Sequence, residues 1–146
     1  MIRDIVTDKE LLAMPSVPVT EEVRTMEIVE ELVDTAEHWR TTKIGCLGLA
    51  ANQIGWLFRI IVIWEGNHWL IMVNPSWRPR DAKMGSSNEQ CLSRPSANVK
   101  IKRHKRIECS WEDPFDGDQR SAKYSHLTAR IIQHEVDHLD GIYIGR

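Results

Sequence analysis

The sequence predicts a mixed domain of helices and strands, for three reasons. Residues 58–64 form a β-branched run suited to a central strand, and a turn at 65–67 leads into a second apolar run over 69–73, as in a hairpin. Residues 106–111 alternate polar and apolar side chains, which is typical of a half-buried strand. Two further segments, one near each end of the chain, space their apolar residues by three and four, which predicts helices.

Length and composition favour one ordinary globular domain, residues 1–146. The chain has 146 residues, enough to bury a core, with 42% hydrophobic and 27% charged residues. The formal net charge of −2 predicts no general attraction to nucleic acid or to a membrane surface. The sequence has neither an apolar run of membrane-spanning length nor the apolar core of a signal peptide at its start. We therefore expect a cytoplasmic protein.

We expect the first predicted helix to pack against the core and to carry no catalytic residue. Residues 1–19 are expected to be irregular, with a short strand and two prolines. Thr20 is the expected N-cap, and Glu21 and Glu22 suit the positive end of a helix that runs to about Arg40. Its apolar face comprises Val23, Met26, Val29, Leu32, Val33 and Ala36.

Residues 45–55 are rich in small side chains, which allow the backbone to approach a ligand or a second strand closely. The alternative is a tight turn into a helix. The stretch is not a phosphate loop, because its glycines are wrongly spaced and no Lys-Ser/Thr follows. Gln53 is the polar residue here with reach, and its amide can donate a hydrogen bond. Further on, residues 76–88 are rich in Arg, Lys, Gly and Ser, which predicts an exposed loop.

The last predicted helix contains His-Glu-x-x-His at residues 134–138. Ser125 is a plausible N-cap and Gly141 a plausible residue just past the end. Residues four apart share a helix face, so His134 and His138 can bind one metal ion, and Glu135 can take a proton from an acidified water. The alternative is a helix with two histidines that have no ligand role.

Two histidines do not complete a metal site, because zinc or ferrous iron needs a third protein ligand. The three cysteines are an odd number at wide spacing, which does not indicate a disulfide framework. By the alternation of its strand Cys109 belongs to the core. We expect at least one cysteine, Cys46 or Cys91, to be the missing ligand.

With these stretches identified, the sequence resembles the peptide deformylases, which remove the N-formyl group from nascent polypeptides. Three motifs, in order, carry the resemblance: residues 48–53 (Gly-Leu-Ala-Ala-Asn-Gln), 89–93 (Glu-Gln-Cys-Leu-Ser) and 133–138 (Gln-His-Glu-Val-Asp-His). Residues 61–63 and 73–75 also match, so the likeness covers nearly the whole chain. The fold that it implies is α+β, with mainly antiparallel strands around a central metal-binding helix and with an N-terminal packing helix.

The resemblance also implies a role for each matching residue. The metal would be bound by Cys91, His134 and His138. One divalent ion per chain is expected: Fe²⁺, with zinc, nickel or cobalt able to replace it. Glu135 would be the general base and acid, while the backbone N–H of Leu92 and the side-chain amide of Gln53 would stabilise the oxyanion.

The substrate would be the formyl-methionyl end of a nascent peptide. Leu127 and Ile131 precede His134 on the same helix face, so with Leu47 they are expected to form a pocket for methionine. The alternative for Leu127 and Ile131 is plain core. Gly48 and Glu89 are also expected at the substrate site, and the substrate backbone is expected to pair with residues 45–48 as an added strand.

Two positions depart from the family pattern. Cys46 and Gln90 each stand where the family has glycine, and a positive φ at Gln90 would cost about 1–3 kcal/mol. We expect an ordinary φ there. The chain also ends soon after the third motif, as in compact bacteriophage members. Contact with the ribosome therefore stays open, but without the usual C-terminal docking element. We further expect a monomer with no direct nucleic-acid or membrane partner.

Two rival functions stay open at this point. A zinc peptidase using His-Glu-x-x-His would need a carboxylate or a third histidine as its remaining ligand. A degenerate family member would bind metal and nascent-chain ends without turnover.

Overall fold

The computed structural model describes residues 1–145. The helices and strands of this range follow in chain order: α1 Lys9–Leu12, α2 Thr25–Arg40, β1 Gly48–Ala50, a 3₁₀ helix Ala51–Ile54, β2 Ile60–Trp64, β3 Trp69–Pro79, β4 Met84–Cys91, β5 Arg94–His104, β6 Arg106–Glu112, β7 Gln119–Ser125 and α3 His126–Leu139. The predicted α+β class is confirmed, as are the hairpin from β2 to β3 and the helix that contains the two histidines.

The strands form an antiparallel five-stranded sheet in the order β1-β2-β3-β6-β7 and a separate hairpin of β4 with β5. Strand β2 lies between α2 and α3, which explains why both of its faces are apolar. Ile60 and Val62 belong to the same buried cluster as α2, whereas Ile61 and Ile63 belong to the cluster that contains α3. Helix α3 is therefore packed against the sheet beside β1.

The start of α2 differs from the prediction. The helix begins at Thr25, and its N-cap, Arg24, makes no capping hydrogen bond with its side chain. Thr20 instead begins a turn, in which its carbonyl accepts the backbone N–H of Val23 at 3.1 Å. The cap prediction was wrong because Val23 packs against the core from this turn, which mimics the first apolar position of a helix.

The opening segment also differs, because it contains a short helix rather than a strand. The carboxylate of Asp8 accepts the backbone N–H groups of Glu10 and Leu11 and so caps α1. The extended pairing in this region is a single parallel bridge between Val17 and Phe58.

The prediction of a loop over residues 76–88 was wrong. Strand β3 continues to Pro79 after a bulge between Val73 and Ser76, where Asn74 has φ of +49°. Strand β4 then begins at Met84 and pairs with β5 along its length. These segments carry polar side chains because the hairpin is largely exposed, so backbone pairing rather than side-chain burial defines the strands.

Helix α3 begins and ends where the sequence predicted. Ser125 is at the N-cap position, although its hydroxyl makes no capping bond, and Gly141 follows the C-cap Asp140 with φ of +76°. Cys109 is fully buried, as the alternation of β6 predicted. Within residues 1–145, no helix combines the length and the apolar character needed to cross a membrane.

Candidate metal centre

Helix α3 and the end of β4 bring three donor groups together. The ligand atoms of Cys91, His134 and His138 lie within 4.8 Å of one another, and all three residues are buried. Cys91 Sγ is 3.3 Å from His138 Nε2, and the two imidazole centroids are 5.0 Å apart. A thiolate with two imidazoles suits zinc or iron rather than magnesium or calcium, so the residues present fit a transition metal.

The structure decides between the two candidate cysteines. Cys46 is buried outside the donor group, and its thiol donates to the carbonyl of Gly48 at 3.2 Å. Burial raises the pKa of Cys46 to about 12, which keeps this thiol protonated. The third donor is therefore Cys91, and not the carboxylate or third histidine that a His-Glu-x-x-His peptidase would need.

The pKa values of the two histidines shift in opposite directions. Burial lowers the pKa of His138 to about 3, so its ring is neutral, as a metal ligand must be. Burial also disfavours charge on His134, but hydrogen bonds to Cys91 and Glu89 outweigh it and raise the pKa of this ring to about 10. Binding of a divalent metal at the other ring nitrogen would displace this proton.

Glu89 orients His134. Its Oε1 accepts from His134 Nδ1 at 2.8 Å, which leaves Nε2 of the ring for the metal. Burial alone would raise the pKa of Glu89, but Arg103 and His134 lower it well below its usual range. Its carboxylate also accepts hydrogen bonds from Arg103 and Arg130, so both carboxylate oxygens are hydrogen-bonded. We therefore interpret Glu89 as support for His134 rather than as a residue that contacts substrate.

Sequence reasoning missed Arg103 and Arg130. Arg130 donates to Glu89 at 2.6 Å and to the carbonyls of Ile101 and Gly85, and Arg103 also pairs with Asp137. One signal was available: Arg130 lies four residues before His134, on the helix face that the metal ligands occupy. A cation at that position needs a buried acidic partner, and Glu89 is that partner.

Glu135 lies beside the metal ligands with the properties of a proton carrier. It is buried, and burial raises its pKa to about 7, so it can take and return a proton near neutral pH. Its Oε1 has no hydrogen-bond partner among residues 1–145. Gly48 of β1 is adjacent: a Cβ built there would lie 2.8 Å from Glu135 Oε2 and 2.7 Å from Ile131 Cγ2.

Gln53 is fixed at the metal centre by the 3₁₀ helix that follows β1. Its Oε1 accepts the backbone N–H of Ala50 at 3.0 Å, and its Nε2 donates to Ser93 Oγ at 3.1 Å and lies 3.4 Å from Cys91 Sγ. The amide donor is therefore held beside a metal ligand. Leu92, whose N–H is the other expected donor, follows Cys91 directly and is partly buried.

The three expected pocket residues are exposed or partly buried. Leu127 is 58% and Leu47 44% exposed, and Ile131 is partly buried next to Gly48. Leu127 is therefore not a core residue. Gln90 is exposed, and the non-glycine residues with positive φ in the described chain are Asn74 and His126, so Gln90 imposes no strain on the ligand loop.

Three buried metal ligands, a carboxylate with a raised pKa and an oriented amide donor are the parts of a metal-dependent hydrolase. The sequence profile of the family described as polypeptide deformylase matches residues 2–145. The chain belongs to this family.

Individual relatives agree over nearly the full length. A peptide deformylase of Clostridium beijerinckii is 36% identical over 144 residues, which cover 99% of this chain and all of the relative. The crystal structure of the Thermotoga maritima peptide deformylase superposes with a TM-score of 0.86 at 31% identity, covering 99% of this chain and 95% of that one. The deformylase of Synechococcus elongatus, solved in complex with actinonin, gives a TM-score of 0.85 at 26% identity, covering 97% and 75%.

Proposed function

We propose that this protein hydrolyses the N-formyl group from the formyl-methionyl end of nascent polypeptides. The observation that carries the proposal is the grouping of Cys91, His134 and His138 with the buried carboxylate of Glu135, in a chain of this family. We place this activity in the cytoplasm, with the protein acting as a monomer.

The bound ion is one divalent metal per chain, and we propose Fe²⁺, which zinc, nickel or cobalt can replace. When bound, it supplies Lewis acidity, which polarises the formyl carbonyl and acidifies a water molecule. Cys91, His134 and His138 would hold it, and Glu89 fixes the ring of His134 in the required tautomer.

Glu135 moves the proton. A formamide is a poor electrophile and its amine a poor leaving group, so the reaction needs one group that removes a proton from water and then protonates nitrogen. A carboxylate whose pKa is about 7 is suited to both steps at neutral pH. Such acid–base catalysis contributes roughly 10²–10⁴-fold to rate.

Two donors would stabilise the oxyanion that forms when the formyl carbonyl is attacked. We assign them to the Nε2 group of Gln53, held by Ala50 and Ser93, and to the backbone N–H of Leu92. A donor of this kind is worth about 3–4 kcal/mol in other enzymes, because it is oriented before the reaction begins.

The substrate backbone would add to the sheet at β1. This strand is the last of its sheet, paired with β2 along one edge, so its other edge can accept an extended peptide near residues 45–48. We propose that Leu47, Leu127 and Ile131 bury the unbranched side chain of methionine beside this edge. Ile131 lies next to Gly48 of β1, and Leu47 precedes Gly48 in the chain. Gly48 would let the substrate backbone approach Glu135.

The test is release of formate from a formyl-Met-Ala peptide by protein purified anaerobically with iron. Glu135→Gln is measured beside the parent, with metal content determined for both. We expect turnover by the parent and a loss of roughly 10²–10⁴-fold in Glu135→Gln with metal retained. A parent protein that binds metal and peptide but releases no formate would contradict the proposal and identify a binding protein without turnover.

A further inference from the structure

A cluster of basic side chains lies at the end of the sheet, where three bends of the chain meet. The bends are residues 80–83 after β3, residues 105–106 where β5 leads into β6, and residues 125–126 where β7 leads into α3. Three backbone hydrogen bonds join them: Arg80 N–H to the carbonyl of Arg106, Lys105 N–H to that of Lys83, and His126 N–H to that of Lys105, at 2.9–3.0 Å. These bonds fix the three bends relative to one another, so their basic residues are brought together by the fold.

The side chains of these bends surround a depression of about 350 Å³. We call it the basic depression; its lining consists of Arg80, Lys83, Lys105, Arg106, Ser125 and His126. All six residues are exposed.

The positive charge of the basic depression is largely uncompensated. Within residues 1–145, Arg80, Lys83 and Lys105 make no ion pair, whereas Arg106 pairs with Asp81 at 3.5 Å. This contrasts with Arg103 and Arg130, whose charges are matched by buried or partly buried carboxylates. Clustered cations without partners create a local positive potential that attracts polyanions.

The formal net charge of the chain does not reveal this local positive charge, because acidic and basic residues lie in different segments. Residues 1–40 contain ten acidic and four basic residues, whereas residues 76–106 contain two acidic and nine basic ones. The chain is therefore strongly polarised although its formal net charge is only −2. A net charge near zero excludes general attraction to nucleic acid, but it does not exclude a binding surface at the positive end.

We propose that the basic depression is a docking surface for the phosphate backbone of RNA. Arginine guanidinium groups bind phosphate oxygens in a bidentate manner, and lysines add charge without strict geometry. A concave surface fits a ridge of phosphates better than it fits a flat membrane. The choice of RNA over DNA rests on the proposed function, since nascent polypeptides emerge from ribosomes, whose surface is largely RNA.

The basic depression is close to the metal centre along α3. His126 begins the helix, and His134 lies eight residues further on, which is about 12 Å along the helix axis. RNA bound at the basic depression would therefore hold the metal centre near an emerging peptide without occupying the β1 edge.

The experiment is a titration of a fluorescein-labelled RNA hairpin with the metal-loaded full chain, followed by fluorescence anisotropy at about 50–200 mM salt. The test variant is Arg80→Gln/Lys83→Gln/Lys105→Gln, which leaves the Arg106–Asp81 pair in place. The control is Lys9→Gln/Arg24→Gln/Lys43→Gln, which removes the same charge from exposed positions elsewhere. We expect the test variant to lose at least about tenfold in affinity, and its salt slope to fall by roughly two to three, with the control within about twofold of the parent.

No binding of the hairpin by the parent at about 50 mM salt, or equal loss in both triple variants, would overturn the proposal. Preference for phosphatidylserine vesicles over RNA would also overturn it and would indicate a membrane surface. Deformylation of a short peptide is measured separately and should be the same in the parent and the test variant. A parent that binds RNA but releases no formate would count against the proposed function and not against the docking surface.

Discussion

Gly48 determines how closely β1 approaches the metal-binding helix. A Cβ at this position would lie 2.7 Å from Ile131 Cγ2 and 2.8 Å from Glu135 Oε2, closer than nonbonded carbon atoms tolerate. Glu135 is buried, so its side chain would have to shift if Gly48 carried a Cβ. The absence of one side chain therefore sets the position of the proposed proton carrier.

We predict that Gly48→Ala lowers kcat for formyl-Met-Ala by about 100-fold, because misplacing a catalytic group by about 1 Å has effects of that size. Metal content, measured by elemental analysis, should not change. The double variant Gly48→Ala/Ile131→Ala removes the contact with Ile131 but keeps the contact with Glu135, so its kcat should stay low. Recovery of kcat in the double variant would show that the clash with Ile131, and not displacement of Glu135, causes the loss.

At the scale of elements, buried ion pairs attach the β4–β5 hairpin to α3. Glu89 of β4 is bonded to Arg103 of β5 and to His134 and Arg130 of α3, and Arg103 also reaches Asp137. These contacts place the strand that ends at Cys91 against the helix that carries the histidines. The metal ligands are thus held in register by groups that do not bind the metal.

We predict that Glu89→Gln weakens metal binding by about 10–100-fold, which is typical when the partner of a ligating histidine is changed. The amide keeps an oxygen for His134 Nδ1 but loses the charge that holds the ring and the two arginines. Competition with a chelator measures the affinity. Glu108→Gln, which removes the partly buried partner of Arg78, is the matched control and should bind metal as the parent does. Equal affinity of Glu89→Gln and Glu108→Gln would contradict this role.

A second connection between elements, from α2 to β3, predicts a pH effect on stability. Glu37 accepts hydrogen bonds from Arg40 and from Trp69 Nε1, and these lower its pKa from 4.5 to about 2. A carboxyl whose pKa is lowered by folding stabilises the fold above its unfolded pKa, and this contribution is lost as the pH falls through the folded pKa. Glu37→Gln should therefore be less stable than the parent at pH 7, and the difference should shrink between about pH 4.5 and 2.

Urea unfolding at a series of pH values measures this difference. Glu30→Gln, an exposed position on the same helix, is the control and should show no comparable pH-dependent gap. A gap between the parent and Glu37→Gln that is constant with pH would mean that the carboxylate charge of Glu37 does not contribute.

At the scale of the whole molecule, the sequence predicted those helices and strands whose apolar residues recur at a regular spacing. The β2 run, the alternation of β6 and the spacing of α3 each follow from burial of one or two faces, so these elements were found. The β4–β5 hairpin was missed because its strands pair mainly through the backbone and expose polar side chains. Thr20 was assigned as a cap because a turn and a helix start use the same residue types.

The candidate site was predictable only in part, for a related reason. The spacing of His134 and His138 is local, and the motif resemblance added Cys91 from a distant strand. The pairing of Glu89 with Arg130 joins residues far apart in sequence that share no motif, so it became visible only in the fold. The basic depression is likewise built from three separate bends, and the net charge gave no sign of it.

Hydrogen bonds attach the end of α3 to the opening segment and to the start of β2. The backbone N–H of Ser16 donates to the carbonyl of Leu139 at 2.8 Å, and Arg59 bonds Asp140 at 2.8 Å. Gly141, with φ of +76°, passes so close to the opening segment that a Cβ there would lie 2.4 Å from the carbonyl oxygen of Ala13. The N-terminal segment therefore depends on this glycine for its position.

We predict that Gly141→Ala destabilises the whole domain through this contact. Gly66→Ala is the matched control, because Gly66 also has positive φ, +99°, but a Cβ there would meet nothing within 4 Å. The control should lose about 1–2 kcal/mol in free energy of unfolding, the cost of a left-handed alanine. Gly141→Ala adds a backbone clash, so its loss should exceed that of the control by roughly 1–3 kcal/mol, as overpacking does elsewhere. Urea unfolding of both variants measures the two losses, and equal losses would mean that the N-terminal segment moves aside at no cost.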